Sequence, residues 1–320
     1  MNDRNEAFDA IKGLLIVFVV LGHVLLGSIS ESMGREIIYF FHMPLFLAVT
    51  GYFVKVRLIK KTFLDITRKY THRMLIPFLL AFVLFTIVSS FLESSLNFET
   101  VIGKFLYPYY HLWYIPAVML FIFYVKILES TPKIASILVL VIFSLLTIYF
   151  EGHGQYASDS TLYKLLGDKR FYYFFIYFYT GYYFSSRKLS IDKDIILSIF
   201  IIGLLCYGYS NNNFLIGMGK SVANISLILL SLSLLQSSAY KSRFLGVIGK
   251  VSLPIYLWHV LPLIVLKKLP ISEFEYYSLS VIIFMSFIFI LIKLENKNYL
   301  LDKYLYGVSR STTRDNGVNS

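Results

Sequence analysis

The chain reads as a succession of long apolar runs separated by short polar gaps. Ten runs stand out, at roughly 11–30, 36–54, 74–92, 112–128, 134–150, 171–185, 195–210, 221–236, 244–266 and 277–294. Most approach the ~20 residues that a helix needs to cross a ~30 Å hydrocarbon core. The sixth is short, bracketed by Arg170 and Arg187. It is also strongly aromatic (FYYFFIYFYTGYYF), which puts its ends at headgroup level. The predicted fold class is all-α, a polytopic membrane helical bundle of about ten transmembrane helices. One membrane domain is expected over 1–308, followed by a disordered polar tail over 309–320, SRSTTRDNGVNS.

Composition narrows the choice. Of 320 residues, 57% are apolar and 15% charged, against roughly 25% charged in soluble proteins. A bilayer accepts that surface on the outside of every helix, whereas a soluble fold has nowhere to hide it. The net charge of +11 would suit a nucleic-acid partner, but the basic residues cluster in alternate gaps. With both termini on one side, that side holds twenty of the thirty Lys and Arg, including all seven between Lys55 and Arg73, against eight on the other. The positive-inside rule then puts both termini in the cytoplasm, with membrane lipid rather than nucleic acid as the partner. Reading the first run as a cleaved signal peptide leaves an odd number of spans and discards its ionisable residues. A single cysteine, Cys206, excludes an intramolecular disulfide and reads as packing.

Charges near a bilayer centre cost at least ~2.5–3.5 kcal/mol, so each intramembrane ionisable group needs a reason. The first run carries two, Lys12 and His23. Eleven residues of helix make three turns plus ~20°, so both point nearly the same way, ~16 Å apart along the axis. A neutral imidazole can take a proton near pH 7. A snorkelling Lys and a His bonded to a neighbouring helix account for the pair equally well. Other residues of interest follow in chain order. YFFHMPLFLAVTGYF carries His42 and Pro44, and RKYTHRMLIPF carries Arg68, Lys69 and Arg73. HLWYIPA carries His111 and Trp113, and SLPIYLWHV carries Tyr256 and His259. Each also has a plain reading. For Arg68–Arg73 it is a basic loop at anionic lipid; for Tyr107, Tyr109, Tyr110 and Tyr114 it is an interfacial aromatic belt. For His42 it is a structural hydrogen-bonded role, and for His259 it is packing. The 151–170 segment has Glu151, His153 and Asp159 scattered among glycines, a weak metal set that reads as loop polarity.

Taken together in this order, these blocks resemble the acyltransferase-3 family of bacterial membrane O-acyltransferases. Lys12, the ten residues Gly13 to Gly22, and His23 match the family's basic residue, ten-residue spacer and His, with Asp9 just before the helix. Lys at the basic position is more similar to the fucose-4-O-acetylase-like subgroup, since many members have Arg. The other four blocks resemble the second-helix His-Met-Pro signature, the basic linker ending in Ile-Pro, the Leu-Trp-aromatic-x-Pro element and the late Ser-x-x-x-Tyr-Leu-x-His segment. The resemblance covers nearly the whole chain. It implies transfer of an acyl group, most simply acetyl, from cytoplasmic acyl-CoA to a sugar hydroxyl of an extracytoplasmic glycan or lipid-linked precursor, in a bacterial plasma membrane. Acyl-CoA is then a substrate, and no bound cofactor or metal is implied. In this reading Lys12, Arg68, Lys69 and Arg73 form the mouth for the CoA phosphates. His23 is the base or carries the acyl group, and Asp9, His42, His111, Trp113, Tyr256 and His259 line the substrate cavity. A transporter or flippase for a lipid-linked glycan, or a glycan polymerase, is the rival class. Transporters more often show paired broken helices and repeats, and neither is visible here. Nothing in the sequence specifies an oligomeric state.

Overall fold

A computed structural model describes residues 6–29, 31–93, 103–104, 106–109, 111–153, 167–187, 192–236 and 242–308. The predicted tail at 309–320 lies outside them, as do Asp159, Tyr110 and the basic residues Arg4, Lys164, Lys188 and Lys241. Every regular element among the described residues is helical. In order these are α1 (Glu6–Val24), α2 (Met33–Tyr52), α3 (Val56–Ile59), α4 (Phe63–Tyr70), a π turn (Thr71–Leu75), α5 (Ile76–Glu93), α6 (Tyr114–Ser130) and α7 (Lys133–Gly152). After a short 3-10 turn (Lys169–Phe171) come α8 (Phe175–Arg187), α9 (Lys193–Tyr209), α10 (Asn213–Gln236), α11 (Arg243–Lys250), α12 (Ser252–Trp258), α13 (Val260–Leu266), α14 (Glu273–Leu294) and α15 (Tyr299–Tyr304).

Each of the ten predicted runs therefore holds a helix. Five are long and apolar enough to cross a membrane: α1, Phe63–Ser89, α7, α10 and α14. The ninth run is a bent pair, α11 with Ser252–Leu266 at 61°, and makes a sixth if counted as one span. The bend has a local cause. Pro254 has no N–H for the Lys250 carbonyl four residues back, so the helix is interrupted there. Pro77 does the same to the Arg73 carbonyl, and the π turn lies just before it. The four remaining runs form helices of 20 (α2), 17 (α6), 13 (α8) and 17 (α9) residues. At ~1.5 Å per residue the thirteen-residue α8 is only ~20 Å long.

Burial identifies the surroundings. Only 17% of the apolar windows of α7 and α14 is covered by protein, and Ile137, Leu138, Ile142, Ile282, Met285 and Phe289 are exposed. Apolar surface on that scale is tolerated in hydrocarbon, not in water. The chain is an integral membrane helical bundle.

At its centre, α1 packs on α11 and α2, and α2 on α8. These contacts are made at backbone distance. A Cβ on Gly13 would overlap the Leu245 carbonyl, and one on Gly249 the Asp9 carbonyl. Small residues that let backbones touch drive helix association where lipid offers no hydrophobic force. This close approach fixes α1, with Lys12 and His23, against the bent ninth segment.

Candidate active site

The core encloses two cavities at opposite ends of α1. The first, about 280 Å³, is lined by Asp9, Lys12, Lys69, Arg73 and Lys250 with a wall of Thr50, Phe53, Tyr70, Tyr114 and Tyr256. Four cations face one carboxylate there. Lys12 Nζ is 3.9 Å from Asp9 and sits 4.1 Å above the Phe53 ring, so its charge is held within the cavity rather than reaching into open water. The Arg73 carbonyl, to which Pro77 has no N–H to offer, lies against the backbone of Gly307, which has a left-handed φ of 64° and belongs to the C-terminal segment that lines the cavity.

Arg68 is the exception among the expected cations. It does not line this cavity, whereas Lys69 and Arg73, exposed like it, do. On a helix it stands ~100° from Lys69, whereas Arg73, four residues beyond Lys69, shares the side of Lys69.

The second cavity, about 510 Å³, is lined by His23, His42, His111, Trp113, Tyr256 and a set of charged side chains. Three imidazoles form one cluster, with ring centroids 5.1 Å apart for His23–His259, 4.7 Å for His111–His259 and 6.0 Å for His23–His111. Their backbone bonds assign the protons, because a carbonyl only accepts. His259 Nδ1 donates to Ile255 O (3.0 Å) and Tyr256 O (2.8 Å). His111 Nε2 donates to Leu257 O at 3.2 Å. That leaves lone pairs on His259 Nε2 and His111 Nδ1, both buried without a protein partner. An N–H of His23 directed at either would leave its other nitrogen as the cluster's accessible base. His42 Nδ1 donates to Ile38 O at 2.6 Å and stacks edge-on to Tyr39.

Tyr256 lines both cavities, packed against Tyr114 (5.2 Å) and His111 (5.3 Å). Tyr114 is held in turn. Thr50 donates to Phe46 O at 3.0 Å, so the Tyr114 hydroxyl donates to Thr50 at 2.5 Å. The partition between the cavities is thus a pair of tyrosines, and the aromatic-belt expectation fails for Tyr109 and Tyr114, which are buried. Trp113 is also buried, stacked on Phe174 (5.2 Å, 12°) beneath the Arg170 guanidinium (4.9 Å).

Several lining residues escaped the sequence reading. Glu151, taken there for loop polarity, is buried, pairs with Lys220 at 2.7 Å and accepts from Tyr177 at 3.0 Å. Arg35, Asp168, Lys169, Arg170 and Lys267 join them. The available signal was position: each lies near the end of an apolar run. His153 behaves as a structural residue, bonded to Tyr149 O (2.9 Å) and stacked on its ring (4.3 Å).

Residues 5–293 match the acyltransferase-3 family model, described as an acyltransferase domain. The chain belongs to the acyltransferase-3 family. It is similar to the nodulation protein NolL of Sinorhizobium fredii (strain NBRC 101917 / NGR234), 36% identical over 85 residues. It is similar also to that of Mesorhizobium japonicum (strain LMG 29417 / CECT 9101 / MAFF 303099), 34% identical over 85 residues. In both cases the alignment covers 24% of this chain and 23% of the relative. No solved structure matches significantly.

Proposed function

We propose that this protein is a bacterial plasma-membrane O-acyltransferase, crossing the bilayer ten times with both termini in the cytoplasm. It takes an acyl group, most simply acetyl, from cytoplasmic acyl-CoA and places it on a hydroxyl of an extracytoplasmic glycan or its lipid-linked precursor. One observation carries this reading: a cation-lined cavity and a histidine-lined cavity open at opposite ends of α1 and share Tyr256 as a wall. Coenzyme A carries several negative charges and cannot cross lipid, but its thioester arm is thin and uncharged. Lys12, Lys69, Arg73 and Lys250 suit its phosphates, and the arm would pass Tyr256 towards His23.

At His23 the acceptor hydroxyl gives its proton to the imidazole as its oxygen attacks the thioester carbonyl. The C–O bond forms, the C–S bond breaks, and the departing thiolate takes the proton back from the imidazolium. His111 and His259 hold the ring's orientation. A covalent acyl-His23 intermediate would use the same residue.

General base catalysis contributes ~10²–10⁴-fold. With purified protein, acetyl-CoA and an acceptor, His23→Ala is expected to lower the transfer rate by about that factor. Equal rates for wild type and variant would remove His23 from the chemistry. Single-turnover trapping of labelled protein separates direct transfer from an acyl-His23 route. Loss of glycan acyl groups in a deletion strain, read by NMR, identifies the acceptor.

A further inference from the structure

The histidine cavity has a feature that acyl transfer to a neutral sugar does not require. Among the described residues its lining carries five Lys and Arg (Arg35, Lys169, Arg170, Lys220, Lys267) against two carboxylates, Glu151 and Asp168. Two ion pairs account for both acids: Glu151 with Lys220, and Asp168 with Arg170. The surplus is local. By the alternation of the gaps, this side of the protein has eight Lys and Arg and nine Asp and Glu, so the face as a whole is nearly neutral. Of these, Glu99, Asp159 and Lys164 lie outside the described residues.

Crowding cations into a partly buried space raises their energy unless an anion enters. Burial pushes the Lys169 ammonium down to about 8, with Arg170 and Lys220 adding repulsion and Asp168 and Glu151 opposing it. Burial, then the Arg35 charge, also lowers Lys267. Lys267 Nζ reaches the His23 carbonyl at 3.2 Å, so this positive charge lies beside the residue proposed to take the acceptor's proton. Arg35 enters from the start of α2, anchored to the Gly27 carbonyl and stacked 5.5 Å over Tyr39.

Building on the acyl-transfer reading, we infer that the acceptor is anionic, carrying a phosphate or carboxylate close to the acylated hydroxyl that sits among Arg35, Lys169 and Lys267. The cations then choose the acceptor and hold its hydroxyl towards His23. They are specificity and positioning residues, while the imidazole does the proton transfer.

Two readouts test this separately. In the first, the protein in neutral-lipid nanodiscs is titrated with methyl glucoside, glucose 1-phosphate and glucuronic acid, and binding is measured by saturation-transfer NMR. A charge-assisted contact is expected to favour the two anions by about tenfold or more. Arg35→Gln and Lys267→Gln should each shrink that preference, and Lys267→Arg should keep it. Preference for the phosphate points to a lipid-linked phosphosugar, and preference for the uronate to an acidic glycan. Equal binding of all three sugars overturns the inference, as does a preference that survives the Arg35→Gln, Lys267→Gln double variant.

In the second readout, acetyl transfer from acetyl-CoA is followed with the same three acceptors. Anion-selective binding without any turnover would leave the anion site standing and remove the acyl-transfer reading. Turnover with no anion preference in either readout would do the reverse. The double variant must give the wild-type melting temperature; if it does not, the single variants and Lys267→Arg carry the comparison.

Discussion

At the scale of single residues, the proposed donor and acceptor cavities predict effects that kinetics can read independently. Lys12 sits ~16 Å from His23 along the α1 axis, so removing its charge should weaken the donor without touching the base. Lys12→Ala is expected to raise KM for acetyl-CoA about tenfold or more, as for loss of a charge-assisted contact, with a much smaller change in kcat. A fall in kcat alone would place Lys12 in the chemical step instead. Lys169 supplies a pH signature on the other side. A lysine binds an anion only while protonated, and this one is held at about 8, chiefly by burial. Its contribution is present below that value and lost as pH rises through it. With an anionic acceptor, kcat/KM should therefore decline between pH 7 and pH 9, and Lys169→Gln should flatten that limb. The limb must be absent with a neutral acceptor, because kcat/KM shows a free-enzyme group only where the substrate depends on its charge.

Elements are held together by a small number of polar and close-packed contacts, and these predict stability rather than rate. Glu151 at the end of α7 and Lys220 in α10 form a buried pair at 2.7 Å. Breaking such a pair from one side costs about 3–5 kcal/mol, whereas replacing both partners with apolar groups is often neutral. Glu151→Ala should lower the detergent-solubilised melting temperature clearly, and Glu151→Leu with Lys220→Met should recover most of the loss. A double-mutant cycle showing no coupling would mean that the pair contributes nothing to holding α7 on α10. The α1–α11 contact is stricter. Gly249 meets the Asp9 carbonyl at backbone distance, so Gly249→Leu must force the two helices apart. Overpacking costs ~1–3 kcal/mol in soluble cores, and we expect at least that here, seen as loss of the monodisperse folded species in size-exclusion chromatography.

The whole molecule poses the question of sides. Lys268 lies beyond α13 and Lys60 in the linker after α2, both exposed, and the proposed orientation puts a bilayer between them. In a Cys206→Ser background, an impermeant maleimide should label Lys268→Cys in intact cells and Lys60→Cys only after permeabilisation. The opposite pattern would invert the donor and acceptor cavities. Tyr256 should matter at this scale too, as the wall between them: Tyr256→Ala is expected to release CoA from acetyl-CoA without acylating any acceptor. The membrane class, the ten helical runs and the motif residues were legible in the sequence. Hydropathy, helical spacing and proline act over one or two turns and leave their mark locally; even the bend at Lys250 is written in Pro254. The grouping of those residues was not legible. Arg68 and Lys69 look equivalent in a string and both are exposed, yet only Lys69 lines a cavity. Arg35, Glu151, Lys220 and Lys267 stand far apart at the ends of different runs, each reading as ordinary interfacial polarity. Only packing decides which helix ends converge. Because electrostatic energy depends on distance in space rather than separation along the chain, the cationic chamber around His23 exists solely in the folded protein.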